Sequence, residues 1–501
     1  MCVSRNVASR KQSGVALIAF LLIFVTAASF ALLRDLNEAA TQENRHAQTA
    51  NALAEAKAAL IGYAAGANII PTGSCGSNCR RPGDLPCPDR DNNGYAGIGP
   101  PPPVGPPPSC GSAAGGNQLR RIGRLPWKTL GLPDLRDGSG ERLWYAVSNN
   151  FKMNTRTLCG TSGSPGCLNS DSRGTISVRS PDDSFLHDGS NIDPYVKSGA
   201  VAVVIAAGPV LQRLGATSSQ DRRCTVCNSN DICTASPPTN VPRCRPQNYL
   251  DTTADEDNAA FGDNTQDGFI QGDIVDTNGE VIVNDRLLAI TYQDLMPLME
   301  KRVVGEVLSC LKEYAGANNG RYPWAAKLDP DAAPNYDDDN GERFGRLPDN
   351  LLDETQGSSG GSMLDTWPTG NCKLTSTVSP NTWWLNWKEH VFYAVAEAYQ
   401  PATGSPSPCG PSPNSCLTVN PPSPTSDRRA VVTVAGKKLA AVLPHIPVDQ
   451  VRDNAIQKGV VTNYLEGENA DDPPGTYDNS FTSGPATATF NDVTCNNGNC
   501  L

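Results

Sequence analysis

The sequence predicts an α+β protein: a long N-terminal membrane/amphipathic helix packed on a small antiparallel sheet, with a loop-rich, disulfide-rich head module duplicated in tandem. Three observations predict it. Nineteen consecutive uncharged residues, Val15 to Leu33, run without a break into a further helical pattern. Seventeen cysteines stand in local groups. Seven short segments of the first half recur, in the same order, in the second.

The helix comes first. Nineteen residues at about 1.5 Å each span roughly 28 Å, near the hydrocarbon thickness of a bilayer. Arg5, Arg10 and Lys11 precede the run with no acidic residue. The short N-terminus is therefore expected to stay cytoplasmic, with everything after Leu33 exported. From Arg34 to Ala65 there is no proline and no glycine before Gly62. Leu33, Leu36, Ala40, Ala47, Ala50, Leu53, Leu60 and Ile61 fall mostly at helical spacing. One helix from Val15 to about Ala65 would be roughly 75 Å long. A secretory signal cut near Val25-Thr26-Ala27 and an uncleaved anchor are the competing readings. The length of the run and the lack of a breaker after it argue against the signal.

The stretch Lys11-Gln12-Ser13-Gly14, followed directly by the apolar run, resembles the leader of the type IV pilin and pseudopilin family. There a dedicated peptidase cuts after such a glycine. The resemblance implies a leader over 1–14, processing between Gly14 and Val15, and a helix over 15–66 with its transmembrane half at 15–33. It also implies the partners: a prepilin peptidase, the inner membrane, and other pilin-like subunits through the helix. The head would be periplasmic or extracellular and filament-associated after processing. One position departs from the pattern: most pilins carry Glu at the fifth mature residue, and here it is Ala19. The large tip pseudopilin of type II secretion and some minor pilins also lack that acid. The resemblance thus implies a non-catalytic minor subunit of a type IV pilus or type II secretion-like filament, at the tip or in an initiating complex. The alternative is a membrane-anchored exported hydrolase or glycan-binding protein unrelated to pili.

Composition fits an exported, loop-rich chain. The apolar fraction is 38%, with 46 Gly and 41 Pro, so the core is modest. A net charge of −11 argues against a nucleic-acid surface. Cleavage after Gly14 would remove Cys2 and leave an even number of cysteines, which suits disulfides in an oxidising compartment. Cys159 with Cys167 and Cys409 with Cys416 close short Gly/Pro/Ser loops at equivalent places. Cys310 with Cys372 and Cys495 with Cys500 are the other expected pairs. Within Cys75/Cys79/Cys87/Cys110 and Cys224/Cys227/Cys233/Cys244 the connectivity is open. The second group also has zinc-like spacing, but disulfides suit an exported chain better.

The repeats define the domains. Residues 55–66 match 306–316, IGRLPW (122–127) matches FGRLPD (344–349), and 141–151 matches 389–399. Residues 159–168 match 409–417, and 199–211 match 429–439. NYLDTTADEDN (248–258) matches NYLEGENADD (463–472), and VNDRL (283–287) matches FNDVT (490–494). A first head module over 67–290 and a second over 291–501 follow. Thr291-x-x-Asp294 reads as a capping box. Leu295, Leu298, Met299, Val303, Val307, Cys310, Leu311 and Tyr314 then mark one helical face, which Gly316 is expected to end. Leu143–Val147, Ala200–Ala206 and Ala430–Val434 read as strands, and 390–399 as strand or helix.

Chemistry is sparse. Gly357-Ser358-Ser359-Gly360-Gly361 fits G-x-S-x-G but lacks the strand and helix that motif requires. His46, His187, His390 and His445 show no zinc-protease spacing. No catalytic residue is expected. Calcium is the candidate cofactor: Asp89, Asp91 and Asn93 place oxygens at alternate positions before Gly94, as in the first half of an EF-hand loop. The twelfth position is Pro100 instead of Glu. Asp338 and Asn340 stand in a similar stretch of the second module, and the bland reading of both is a solvated turn.

Overall fold

The computed structural model describes residues 13–67, 80–97, 110, 121–152, 167–190, 198–224, 227–228, 233–234, 244–260, 268–328, 336–352, 363–368, 372, 374, 383–409, 416–420, 423–439, 449–470, 479–484, 487, 490–496 and 499–500. Helix α1 spans Ser13–Ala65 without interruption, so Gly14 and Val15 lie in its first turn. Its two halves differ. Phe20, Leu22, Ile23, Phe24, Phe30 and Leu33 are exposed, whereas Ala52, Leu53, Ala56, Leu60 and Ala64 are buried at i, i+4 spacing. The helix is long and apolar enough to cross a membrane.

The first half of the chain supplies β1 (Ile122–Arg124), β2 (Trp144–Val147), β3 (Ser177–Arg179), β4 (Phe185–His187), β5 (Ala202–Ala206), β6 (Gly268–Ile270), a short hairpin of β7 (Ile274–Val275) and β8 (Val281–Val283), and β9 (Arg286–Ile290). A four-stranded antiparallel sheet runs β1-β2-β5-β9. α1 packs on β5 and β9. The opposite face of this sheet buries Trp144, Val203 and Ile205 with Val178 and Phe269 of a small β4-β3-β6 sheet.

Helix α2 follows at Tyr292–Ala317, opened by the expected capping box: Thr291 and Asp294 satisfy each other's backbone N–H. Leu295, Met299, Val303, Val307, Cys310, Leu311 and Tyr314 are buried as the spacing predicts, but Leu298 is 46% exposed. Gly316 does not end the helix. The left-handed residues fall later, at Asn319 and Gly320, and the Gly320 N–H closes the turn on Ala315 O. Lys57 of α1 ties the two helices, donating to Asp294 at 2.8 Å and to Ala289 O at 3.0 Å.

The second half supplies β10 (Phe344–Arg346), β11 (Val391–Val395), β12 (Leu417–Asn420), β13 (Ser423–Arg428), β14 (Ala430–Val434), β15 (Ser480–Thr482), β16 (Val493–Asn496) and β17 (Asn499–Cys500). The ambiguous segment 390–399 therefore holds strand β11 over Val391–Val395, followed by a 3-10 turn over Glu397–Tyr399. Here the antiparallel sheet runs β10-β11-β14-β16-β17, with α2 on β14 and β16. A small β13-β12-β15 sheet stands apart from it; like β4-β3-β6 it joins one antiparallel and one parallel pair. Registers agree as well. Gly123 pairs with Tyr145 and Arg124 with Trp144, while Gly345 pairs with Tyr393 and Arg346 with Phe392. Glycine is required at both places, since a Cβ would come within 2.5 Å of Asp89 O at Gly123 and 2.1 Å of Ala326 O at Gly345. One hydrophobic core spans both helices and both large sheets.

Disulfides staple the loops. Cys310–Cys372 and Cys409–Cys416 form as expected, and the open groups resolve as Cys87–Cys110, Cys224–Cys233 and Cys227–Cys244. Cys167 is also disulfide-bonded, while Cys159 lies outside the described residues. Cys495 and Cys500 face each other across β16 and β17. If the chain is exported and cut after Gly14 as the sequence leads one to expect, alkylation without reduction should add no mass on mass spectrometry. Labelling of two or more cysteines would contradict the all-disulfide assignment.

Candidate functional site

The most organised polar chemistry is buried, and it occurs once in each half. Arg124 lies over the rings of both Trp144 and Tyr249, 4.2 and 3.8 Å from their centroids. Arg346 lies over both Phe392 and Tyr464, at 4.0 and 4.1 Å. Next to each sits a pair of acids: Asp251 and Asp285, both buried, and buried Asp492 with half-buried Glu466. The Asp251 N–H donates to Asp285 Oδ2 at 2.8 Å, and the Glu466 N–H to Asp492 Oδ2 at 3.0 Å. Gln220 donates to Asp251 and Gln450 to Glu466. Asn258 bridges Asp285 to β6, and Asn469 bridges Asp492 to β15. Burial, and then the neighbouring acid, push the carboxyls of Asp285 and Asp492 well above the ordinary range. Burial lifts Asp251 to about 6. Within each pair, burial and the neighbouring carboxylate both oppose ionisation of the deeper acid.

The halves meet on Asp171, from the loop that follows Cys167. Its Oδ1 accepts from Arg452 and from the Lys438 N–H, both at 3.0 Å, and His390 Nε2 lies 3.1 Å from Oδ2. Burial opposes ionisation of Asp171, yet Arg452 and His390 hold its carboxyl well below the usual range. Burial also lowers His390, which is fully enclosed, against the pull of Asp171. His390 Nδ1 has no hydrogen-bond partner among the described residues. Among the described residues no nucleophile stands on the second nitrogen of this sealed His–Asp pair. Asn386 adds to the seam, accepting from the Leu168 N–H and from Arg81, each at 3.1 Å.

The sequence-derived metal residues divide. Asp89 is buried and accepts from the N–H groups of Asp91, Asn93 and Gly94, with Gly94 at φ +88°. Burial raises its carboxyl to about 7. Asn93 donates to Asp91 at 2.9 Å, while Lys128 and Arg142 donate to the carbonyls of Asn93 and Asn92. In the second half it is Ala326, and not Asp338, that pairs with Arg346 as Asp89 pairs with Arg124. Asp338 is buried and accepts from the Leu352 N–H at 2.6 Å, while Asn340 is exposed. The structure thus brings Asp89, Asp91 and Asn93 into one loop and leaves Asp338 and Asn340 apart. Cys224, Cys227 and Cys244 lie within 4.8 Å of one another, but all are in disulfides and offer no thiolate to zinc. The G-x-S-x-G segment and His445 lie outside the described residues.

Sequence reasoning missed Gln220-x-Arg222 and Gln450-x-Arg452, the arms that carry both networks. The signal was present: each Q-x-R precedes an NYL-acid segment. The roles of Arg124, Arg346 and Asp171 had no local signature. In comparisons with known proteins, no family model, curated protein or solved structure matches this chain.

Proposed function

We propose that this protein is a non-catalytic pilin-like minor subunit of a type IV pilus or type II secretion-like filament, seated at the tip or in an initiating complex. The observation that carries the reading is α1: one uninterrupted helix, exposed and apolar along its first half and packed on an antiparallel sheet along its second. The first half inserts in the inner membrane and then in the filament bundle; the head is exported. We further read the head as a tandem duplication over 67–290 and 291–501. Its support is the paired sheet orders, the paired registers and the paired arginine–acid networks. The second copy has a soluble helix, α2, in place of the membrane-spanning one. This role requires no cofactor; calcium would be structural, held in the Asp89 loop.

The place in the filament follows from position 19. In pilin-like assemblies an acid there is thought to pair with a neighbour's terminal amine inside an apolar bundle, where an unpaired charge costs several kcal/mol. Ala19 cannot neutralise that amine, and heads this large would collide at filament spacing. Deleting the gene should reduce filament number, secretion or adhesion without changing filament diameter. Quantitative mass spectrometry of sheared filaments should find only a trace of this protein. Abundance near that of the major subunit would contradict the tip assignment.

A further inference from the structure

A cavity of about 280 Å³ opens beside β1 in the first half, between the Asp89 loop and the segment held by Cys227–Cys244. Three arginines line it, Arg90, Arg124 and Arg245, together with Trp144 and Gln247. Asp89 is the acid in the lining, and its carboxylate is turned to the amides of its own loop. Arg124 is a fixed cation, lying against both Trp144 and Tyr249 and donating from Nη1 to Arg142 O at 2.7 Å. Arg90 and Arg245 engage no side-chain partner among the described residues. Trp144 is only 3% exposed, and its Nε1–H has no acceptor among the described residues.

The second half shows how the same framework looks when its donors are used. Arg346 donates through both Nη atoms to the carbonyls of Glu389 and Lys458. Phe392 stands where Trp144 stands and offers no N–H. In the first half, by contrast, two arginines without a side-chain partner among the described residues and a tryptophan with an unused indole donor line one opening, in a chain of net charge −11. Guanidinium pairs preferentially with planar carboxylates through parallel N–H···O bonds. The volume lies at the low end for ligand pockets and admits a group of about one sugar or one amino acid.

We propose that this cavity binds a small carboxylate-bearing group, with Arg90 and Arg245 as the contacting cations and Arg124 as the fixed cation behind them. A uronic acid and an amino-acid carboxyl terminus present the same chemistry. The site stands whether or not the helix is processed as a pilin.

The test is isothermal titration of the full chain in non-ionic detergent with D-galacturonate, with N-acetylglycine, and with neutral D-galactose. At least one carboxylate should bind with a Kd of about 1 mM or better, and galactose should not. Whichever acid binds identifies the source. Arg245→Ala should weaken binding about tenfold or more, and 0.5 M salt should weaken it too. Arg245 is exposed, so thermal unfolding of that variant should match the parent. Failure of both carboxylates to bind, equal binding of galactose and galacturonate, or full affinity in a folded Arg245→Ala would each overturn the proposal.

Discussion

Replacing Arg452 with Met should destabilise the protein by about 3–5 kcal/mol, the usual cost of stranding a buried partner charge. The Arg452 side chain is 1% exposed. It donates to Asp171 Oδ1 and Gly436 O at 3.0 Å, to Gln450 Oε1 at 3.0 Å and to Asn463 O at 2.6 Å. Methionine would fill much of the volume but leave the Asp171 carboxylate enclosed with only neutral partners. Arg222 is the informative control. It occupies the matching place in the first half, donating to Gly208 O, Asn248 O and Tyr249 O, but it is half-buried and holds no carboxylate. Arg222→Met should therefore cost clearly less, and adding Asp171→Asn to Arg452→Met should restore part of the loss. Urea unfolding of the four proteins checks this. Equal costs at 222 and 452 would remove Asp171 from its proposed role at the seam.

Glu300→Gln should stabilise the protein at pH 8 and change little at pH 4.5. Glu300 lies on the buried face of α2, 3% exposed, accepting from the Tyr292 hydroxyl at 3.2 Å. Burial, against the hydrogen bond from Tyr292 and with the nearby charges of Glu466 and Asp171, raises its carboxyl to about 8. Below the unfolded value of 4.5 the group is protonated in both states, so its full contribution is present. As the pH rises from there to about 8, the unfolded chain releases the proton while the folded one retains it. Stability then falls by roughly 1 kcal/mol per pH unit and levels off above the folded value. Asp285 and Asp492 slope the same way, so the parent should be most stable in mild acid. Glutamine keeps the shape without the charge and should flatten the curve by about one proton. Parallel curves for parent and variant, from denaturant midpoints between pH 5 and 9, would contradict the assignment.

Periodic and local features were legible in the sequence. The apolar run and the unbroken pattern after it define α1 because helix spacing is written into side-chain order. The Thr291–Asp294 cap, the strands around 144–147, 202–206 and 430–434, and the Cys409–Cys416 loop are likewise short-range. The small side sheets were not legible: Ser177–Arg179, Phe185–His187 and Gly268–Ile270 are too short to show a period, and their pairing spans up to 91 residues. The interleaved bridges of the 224–244 group depend on backbone path, which spacing alone does not fix. Equivalence of the two acidic loops misled for the same reason. Asp89 and Ala326 share a place set by β1 and β10, and neither is marked locally. Arg452 and Asp171 are 281 residues apart, beyond any local pattern.

The most direct measurement of the central claim is the N-terminus of the mature protein, obtained by mass spectrometry of the membrane-bound form expressed in a Gram-negative host with a prepilin peptidase. The account predicts a chain that begins at Val15, with Gly14→Val accumulating as the unprocessed form in the inner membrane. A chain that begins near Ala28, or one that retains Met1 in the presence of the active peptidase, would contradict it.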